Sequence, residues 1–113
     1  SDACEASVKV VVRGAQYHEV SEGSGPIGAL DAALRLALHE SFPQLANVHL
    51  VDYSVKLVGE RVGADSKTIV SIDFSDRTDS WEVAGVGKNL VKASLLALID
   101  GYEYALLPTM SKI

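Results

Sequence analysis

Cysteine is almost missing: Cys4 is the only one in 113 residues. One thiol cannot close an internal disulfide, so the fold must rest on packing, and the chain suits a reducing compartment. Basic charge is scarce as well, with ten Lys and Arg against fifteen Asp and Glu and a formal charge of −5. That balance disfavours a nucleic-acid backbone or an anionic membrane as partner. Charges break every apolar run well before the ~20 residues that a membrane span needs. The first residues are acidic and polar, without the basic stretch and hydrophobic segment of a signal peptide. Aromatic residues are few, and only two are Phe. Hydrophobic residues nevertheless make up 48 %, so the expected core is Val, Leu, Ile and Ala. The length predicts one domain, 1–113, able to bury roughly 60–70 % of its unfolded surface. The composition therefore predicts a cytoplasmic module with no nucleic-acid and no membrane partner.

The hydrophobic period divides the chain into elements. Ser7–Arg13 (SVKVVVR) reads as a strand with Val8, Val10 and Val12 on one face; Gly14-Ala15-Gln16 turns it, and Tyr17–Glu22 returns. From Pro26 to about Ser41 the spacing becomes helical. Ile27, Leu30, Ala33, Leu34, Ala37, Leu38 and Ser41 fall on one side, and Asp31, Arg35 and His39 on the other. Pro26 suits the first helical position, Ser24 or Gly25 the cap, and Pro43 the exit. Val48–Val58 predicts a long strand, Gly59 to Gly63 a turn, Lys67–Phe74 a strand, Ser75–Asp79 a polar loop and Ser80–Val86 a further strand. A second helix is expected from about Asn89 to Leu106, with Leu90, Val91, Leu95, Leu98, Tyr102 and Ala105 facing the core, and Pro108 stopping it.

These pieces repeat. Residues 6–25 and 66–87 each give strand, turn, strand, then G-x-G before an amphipathic helix. Matching the glycines pairs Gly23 and Gly25 with Gly85 and Gly87, an offset of 62, and brings Glu19-Val20 within one residue of Glu82-Val83. The second copy carries an additional leading strand. The predicted fold is therefore α+β, with two pseudo-repeated βββα units at about 5–43 and 47–107, packed as sheet and helix layers. The leading strand of the first unit is expected to lie outside this sequence.

Gly23-Ser24-Gly25-Pro26-Ile27-Gly28 fits G-x-G-x-x-G, the pattern of dinucleotide-binding turns. That chemistry needs a short buried parallel strand before the glycines and an acidic residue at the tip of the next strand. Here the preceding strand is the polar YHEVSE of a hairpin, Asp52 sits mid-strand, Pro26 stiffens the turn, and the second copy has Leu90 in place of the third glycine. A dinucleotide is not expected. Two alternatives remain: the turns only admit a tight strand-to-helix corner, or their free N–H groups receive a small carboxylate.

EGSGPIGALDAAL, LVDYSVKLV and WEVAGVGKNLVKASLLALIDGYEYAL together resemble the C-terminal regulatory domain of the α-isopropylmalate synthase family, from about Glu5 to Leu107. ALDAALR, LVDYSVKL and ALIDGYEYAL are most similar to its citramalate synthase branch. The resemblance implies a domain that is not itself an enzyme. It implies feedback regulation of a distant barrel that condenses acetyl-CoA with a 2-oxo acid using a divalent metal; in this domain it implies no cofactor. It also implies a homodimer that binds isoleucine at the interface of subunits and repeats. Leucine, the effector of the isopropylmalate branch, and a purely structural dimerisation module are the alternatives. Carried onto this sequence, the effector positions are Gly23, Gly25 and Ile27 in the first turn, Leu50, Tyr53 and Leu57 in the long strand, Ala64 and Ser66 before the next, and Val86 and Asn89 at the second turn. Leu50 has opposite strand parity to Tyr53 and Leu57, so a common pocket requires a bulge or a strand end between them.

Little else suggests chemistry. His18, His39 and His49 match no metal spacing and are expected to be exposed or capped. Asp73, Asp76 and Asp79 read as a solvated hairpin tip, and Cys4 and the serines have no catalytic neighbours in sequence. No catalytic residue and no metal ligand is assigned.

Overall fold

A computed structural model describes residues 3–59 and 66–107. The expected turn through Gly63, the stop at Pro108 and the candidate residue Ala64 lie outside the described residues. The architecture is α+β, in two repeated units, residues 1–46 and 47–113, each laying one helix on an antiparallel sheet.

The first unit is a hairpin and a helix. Strands β1 (Cys4–Val12) and β2 (Ala15–Gly23) pair from Cys4 opposite Gly23 to Val12 opposite Ala15. The turn is Arg13-Gly14, both at positive φ (51° and 85°), the two-residue connection whose twist suits paired strands. It therefore lies earlier than the Gly14-Ala15-Gln16 expected from sequence. Arg13 tolerates this left-handed backbone while its guanidinium lies 5.4 Å from the centre of the Phe42 ring. Helix α1 (Pro26–Leu38) has Gly25 as its N-cap and Pro26 in the first turn. It buries Ile27, Ala29, Leu30, Ala33, Leu34 and Ala37, with Val8 and Val12 of β1 also in the core.

The helix ends at Leu38, three residues short of the expected Ser41, and the chain then makes a 3₁₀ turn, Pro43–Asn47, that the period did not predict. Arg35 ties this turn to the helix. Its Nε donates to both carboxylate oxygens of Asp31 at 3.0 Å, and its Nη1 donates to the carbonyl of Leu45, also at 3.0 Å.

The second unit has three strands in the order β3 (His49–Val58), β4 (Lys67–Ser75), β5 (Ser80–Gly87), then helix α2 (Leu90–Leu106). Thr68, Val70, Ile72 and Phe74 alternate as the buried face of β4. Helix α2 covers that face over β5 and β4. Phe74 is fully buried; its ring stacks on Trp81 at 6.1 Å and meets the edge of Tyr102 at 5.9 Å. Burying such a ring contributes roughly 1.5–3 kcal/mol. The indole N–H of Trp81 donates to the carbonyl of Gly101 at 3.1 Å. Around these rings the second unit buries Val48, Val70, Ile72, Ala93, Ala97 and Leu98, so among the described residues the core is mostly aliphatic, as composition predicts, with an aromatic cluster added in the second unit.

Helix α2 is also rotated from the expected face. Its buried residues are Ala93, Ser94, Ala97, Leu98, Gly101 and Tyr102, while Val91 is exposed and Leu90, Leu95 and Ala105 are only half-buried. Gly85 and Gly87 explain this. A Cβ on Gly85 would collide with the Ala93 carbonyl and the Ala97 amide, and one on Gly87 with the Ala93 amide. The small residues are where helix and sheet backbones come closest.

The repeat is real, but its offset is 64 rather than 62. Gly23 approaches the Ala29 amide as Gly87 approaches that of Ala93. The buried helix positions Ala29, Leu30, Ala33, Leu34 and Ala37 superpose in register on Ala93, Ser94, Ala97, Leu98 and Gly101. Strand pairing agrees, with Val8 opposite Glu19 matching Ile72 opposite Val83. Gly25 thus corresponds to Asn89, and Ser21 to Gly85.

Candidate functional site

The two strand-to-helix corners share a backbone path and differ in chemistry. Helix α1 begins without a side-chain cap, and its first turn holds no acidic residue. The Ala29 amide bonds the Gly25 carbonyl at 3.0 Å. Earlier amides, Ile27 and Gly28, come before the first intrahelical bond, and Pro26 has none to offer. That end carries partial positive charge and suits a carboxylate. The Ile27 side chain is 1 % exposed and belongs to the packing of its unit; what it can offer a ligand is its N–H. Gly23 sits against the helix backbone, and Gly25 adopts extended φ −160°, ψ 178°.

At the second corner Asn89 is itself the N-cap, and its Oδ1 accepts from the Lys92 amide at 2.9 Å. That carboxamide occupies a position at which a ligand carboxylate would bind. Val86, with 48 % exposure, lies opposite Ile69 on the sheet face turned away from α2.

Strand β3 brings the aliphatic candidates together. Tyr53 pairs with Ile72 and Leu57 with Thr68, so both share the helix-side face of the sheet. The pairing shifts register between Leu50 and Asp52, and Leu50 lies opposite Phe74 on that same face. The parity conflict seen in sequence is thus resolved by a bulge at Val51, the extra residue. Val55, opposite Val70, joins the row between Tyr53 and Leu57. The family motif did not include it, although alternation counted from Tyr53 would have found it. The row is open: Tyr53 and Val55 are each 46 % exposed and Leu57 72 %, since α2 lies over β5 and β4. Ser66 is half-buried just ahead of β4.

Two open depressions lie elsewhere. One of about 600 Å³ in the first unit is bordered by Ala32, Arg35, Leu36, His39 and Leu45. Another of about 670 Å³ in the second is bordered by Asn89, Val91, Lys92 and Leu95. Neither is bordered by Tyr53 or Leu57. Among the described residues no three His, Cys, Asp or Glu side chains group as a metal would require. Asp76 instead accepts from the Thr78 and Asp79 amides in the hairpin tip. His18 bonds Ser7, and His39 bonds the Leu36 carbonyl; both are exposed, as is His49. No helix among the described residues is long and apolar enough to cross a membrane.

A family model, the LeuA allosteric (dimerisation) domain, matches residues 1–106. The chain belongs to this family. The LeuA allosteric domain is a regulatory and dimerisation module rather than a catalytic one. Among curated proteins the chain is 44 % identical over 101 residues to an (R)-citramalate synthase of Synechocystis sp., covering 89 % of this chain and 18 % of that protein. It is 44 % identical over 107 residues to one from Streptomyces coelicolor, covering 95 % and 20 %. For one from Aquifex aeolicus the identity is 42 % over 103 residues, covering 91 % and 20 %. The chain spans about a fifth of the length of these relatives.

Proposed function

We propose that this LeuA-type domain is the cytoplasmic feedback sensor of a citramalate synthase-like enzyme, dimerising and binding isoleucine to inhibit a distant catalytic barrel. The observation that carries the reading is the bulge at Val51, which gives Leu50, Tyr53 and Leu57 one open face fit for an aliphatic side chain. The uncapped first turn of α1 supports the other half of the ligand. Gly23, Gly25 and the Ile27 amide are assigned to the carboxylate, Leu50, Tyr53, Leu57 and Val55 to the hydrocarbon, and Ser66 beside it; Ala64, the other candidate, lies outside the described residues. Asn89 contributes as a closed cap rather than as a second carboxylate site, and Val86 lines the opposite face.

Inhibition follows from differential affinity. The effector shifts the enzyme only by its preference for one arrangement over another, a coupling of about 1–3 kcal/mol in typical cases. Isoleucine and leucine differ only in where one methyl branches, so an aliphatic pocket separates them by shape, for roughly 1–3 kcal/mol. Calorimetric titration with L-isoleucine, L-leucine and L-valine tests the reading. Saturable binding of isoleucine, tighter than of the other two, is expected. Tighter leucine binding would assign the isopropylmalate type of regulation. Silence toward all three by a dimeric chain would leave a structural module.

A further inference from the structure

Strand β3 is an edge of its sheet, and every residue from Val51 to Gly59 is exposed. Free edges with apolar residues on both faces are templates for pairing with another chain. The strand also carries a charge pattern that its own unit leaves incomplete. On the face away from α2, Asp52 lies directly opposite Asp73, and Asp73 directly opposite Glu82. Three carboxylates therefore form one row across the sheet, an arrangement in which direct neighbours repel. The row ends on the open edge at Asp52. A cation placed beside Asp52 from outside would relieve it.

We infer that β3 pairs antiparallel with β3 of a second copy of this chain, in the register centred on Ser54. Facing residues must have the same strand parity, because both point their hydrogen-bonding groups either toward or away from the shared ladder. Among such registers, centring on Ser54 sets Asp52 of each copy opposite Lys56 of the other. Centring on Asp52 or on Lys56 would oppose like charges. Centring on Tyr53 or Val55 would leave both charges facing neutral residues. The Ser54 register also sets Tyr53 opposite Val55 of the second copy on the helix-side face, an aromatic and β-branched pair of the favourable kind. Tyr53 and Val55 belong to the aliphatic row described above, so the second copy would contribute its Val55 beside the effector face. The Tyr53 amide donates to Oδ1 of Asp52 at 2.8 Å. Pairing would turn that carboxylate toward Lys56 of the second copy. The bulge at Val51 ends the regular ladder on one side.

The inference rests on the proposed dimer and names its surface. Sedimentation equilibrium at low ionic strength on the wild-type chain, Asp52→Lys, Lys56→Asp and the double swap tests it. Each single change opposes like charges twice per dimer and should weaken self-association about tenfold, whereas the double swap should return to within about twofold of wild type. A second measurement places Ser54→Cys in a Cys4→Ser background. Facing residues of an antiparallel pair have Cα atoms about 4.5–5.5 Å apart, within disulfide range. Oxidation should give a covalent dimer. Ala84→Cys on β5, the other edge of the sheet, should not. A wild-type dimer indifferent to both charge changes, or a double swap no better than the singles, would overturn the edge pairing while leaving the dimer standing. A chain that stays monomeric with saturating isoleucine would overturn both.

Discussion

The two ββα frames of this chain follow the same path and are stabilised differently. In the first, the corner before α1 has no side-chain cap, and the helix stripe is aliphatic. In the second, Asn89 closes the corner of α2, and Phe74, Trp81, Tyr102 and Tyr104 form an aromatic cluster. Gly25 stands where Asn89 stands, and Val10 where Phe74 does. A repeated frame can thus leave one helix start without a side-chain cap while the other is closed by one. The difference lies in a few side chains rather than in topology.

The largest effect on stability is expected where the frames differ in helix approach. Gly85 has no room for a Cβ against the Ala93 and Ala97 backbone, whereas its counterpart Ser21 already carries one. Gly85→Ala should destabilise by about 3 kcal/mol, the upper end of overpacking costs. Ser21→Ala should stay within about 0.5 kcal/mol. Urea unfolding of both variants checks the contrast.

The caps come next. Asn89→Ala should cost about 1 kcal/mol by leaving the Lys92 amide without its acceptor. Gly25→Asn should instead add a few tenths of a kcal/mol, because the extended backbone of Gly25 suits asparagine and the new carboxamide would cap α1. The same change should abolish isoleucine binding. A stabilised Gly25→Asn variant that still binds isoleucine would remove the first corner from the site.

The smallest effect is confined to the second frame at alkaline pH. Partial desolvation, then the Asp79 carboxylate with its hydrogen bond, then Asp76, raise the Tyr104 phenol above the ordinary value of 10.0. The unfolded chain therefore loses this proton first. The stabilising contribution is whole below pH 10 and is lost as pH rises through the raised value. Trp81 fluorescence, reporting a ring 4.9 Å from Tyr104, should show an unfolding midpoint that falls above pH 10. In Tyr104→Phe that dependence should weaken.

Much of this was legible in the sequence, and the failures have physical causes. Among the described residues, alternation and helical spacing locate every strand and both helices, and Pro26 marks the start of α1. The parity of Leu50 against Tyr53 called for a bulge, and β3 has one. The repeat offset was misread because matching glycines ignored the caps. Gly25 is an N-cap whose counterpart is asparagine, and Gly85 has Ser21 as its counterpart, so of the two glycine pairs only Gly23 and Gly87 occupy equivalent places. The buried face of α2 was misread because bulky Val91 and Leu95 outweighed Ala93, Ala97 and Gly101. Close approach selects small residues, which a hydrophobicity pattern undervalues. Capping of α2 by Asn89 is readable from residue type, whereas a search for matched glycines does not reach it.

The most direct measurement follows backbone amide resonances of the labelled chain during titration with L-isoleucine. The account predicts saturable shifts at Ile27 and Gly28 and along Tyr53, Val55 and Leu57, with Leu90 and Lys92 unmoved. Shifts centred on Leu90 and Lys92 instead, or no shift at any amide up to millimolar isoleucine, would contradict it.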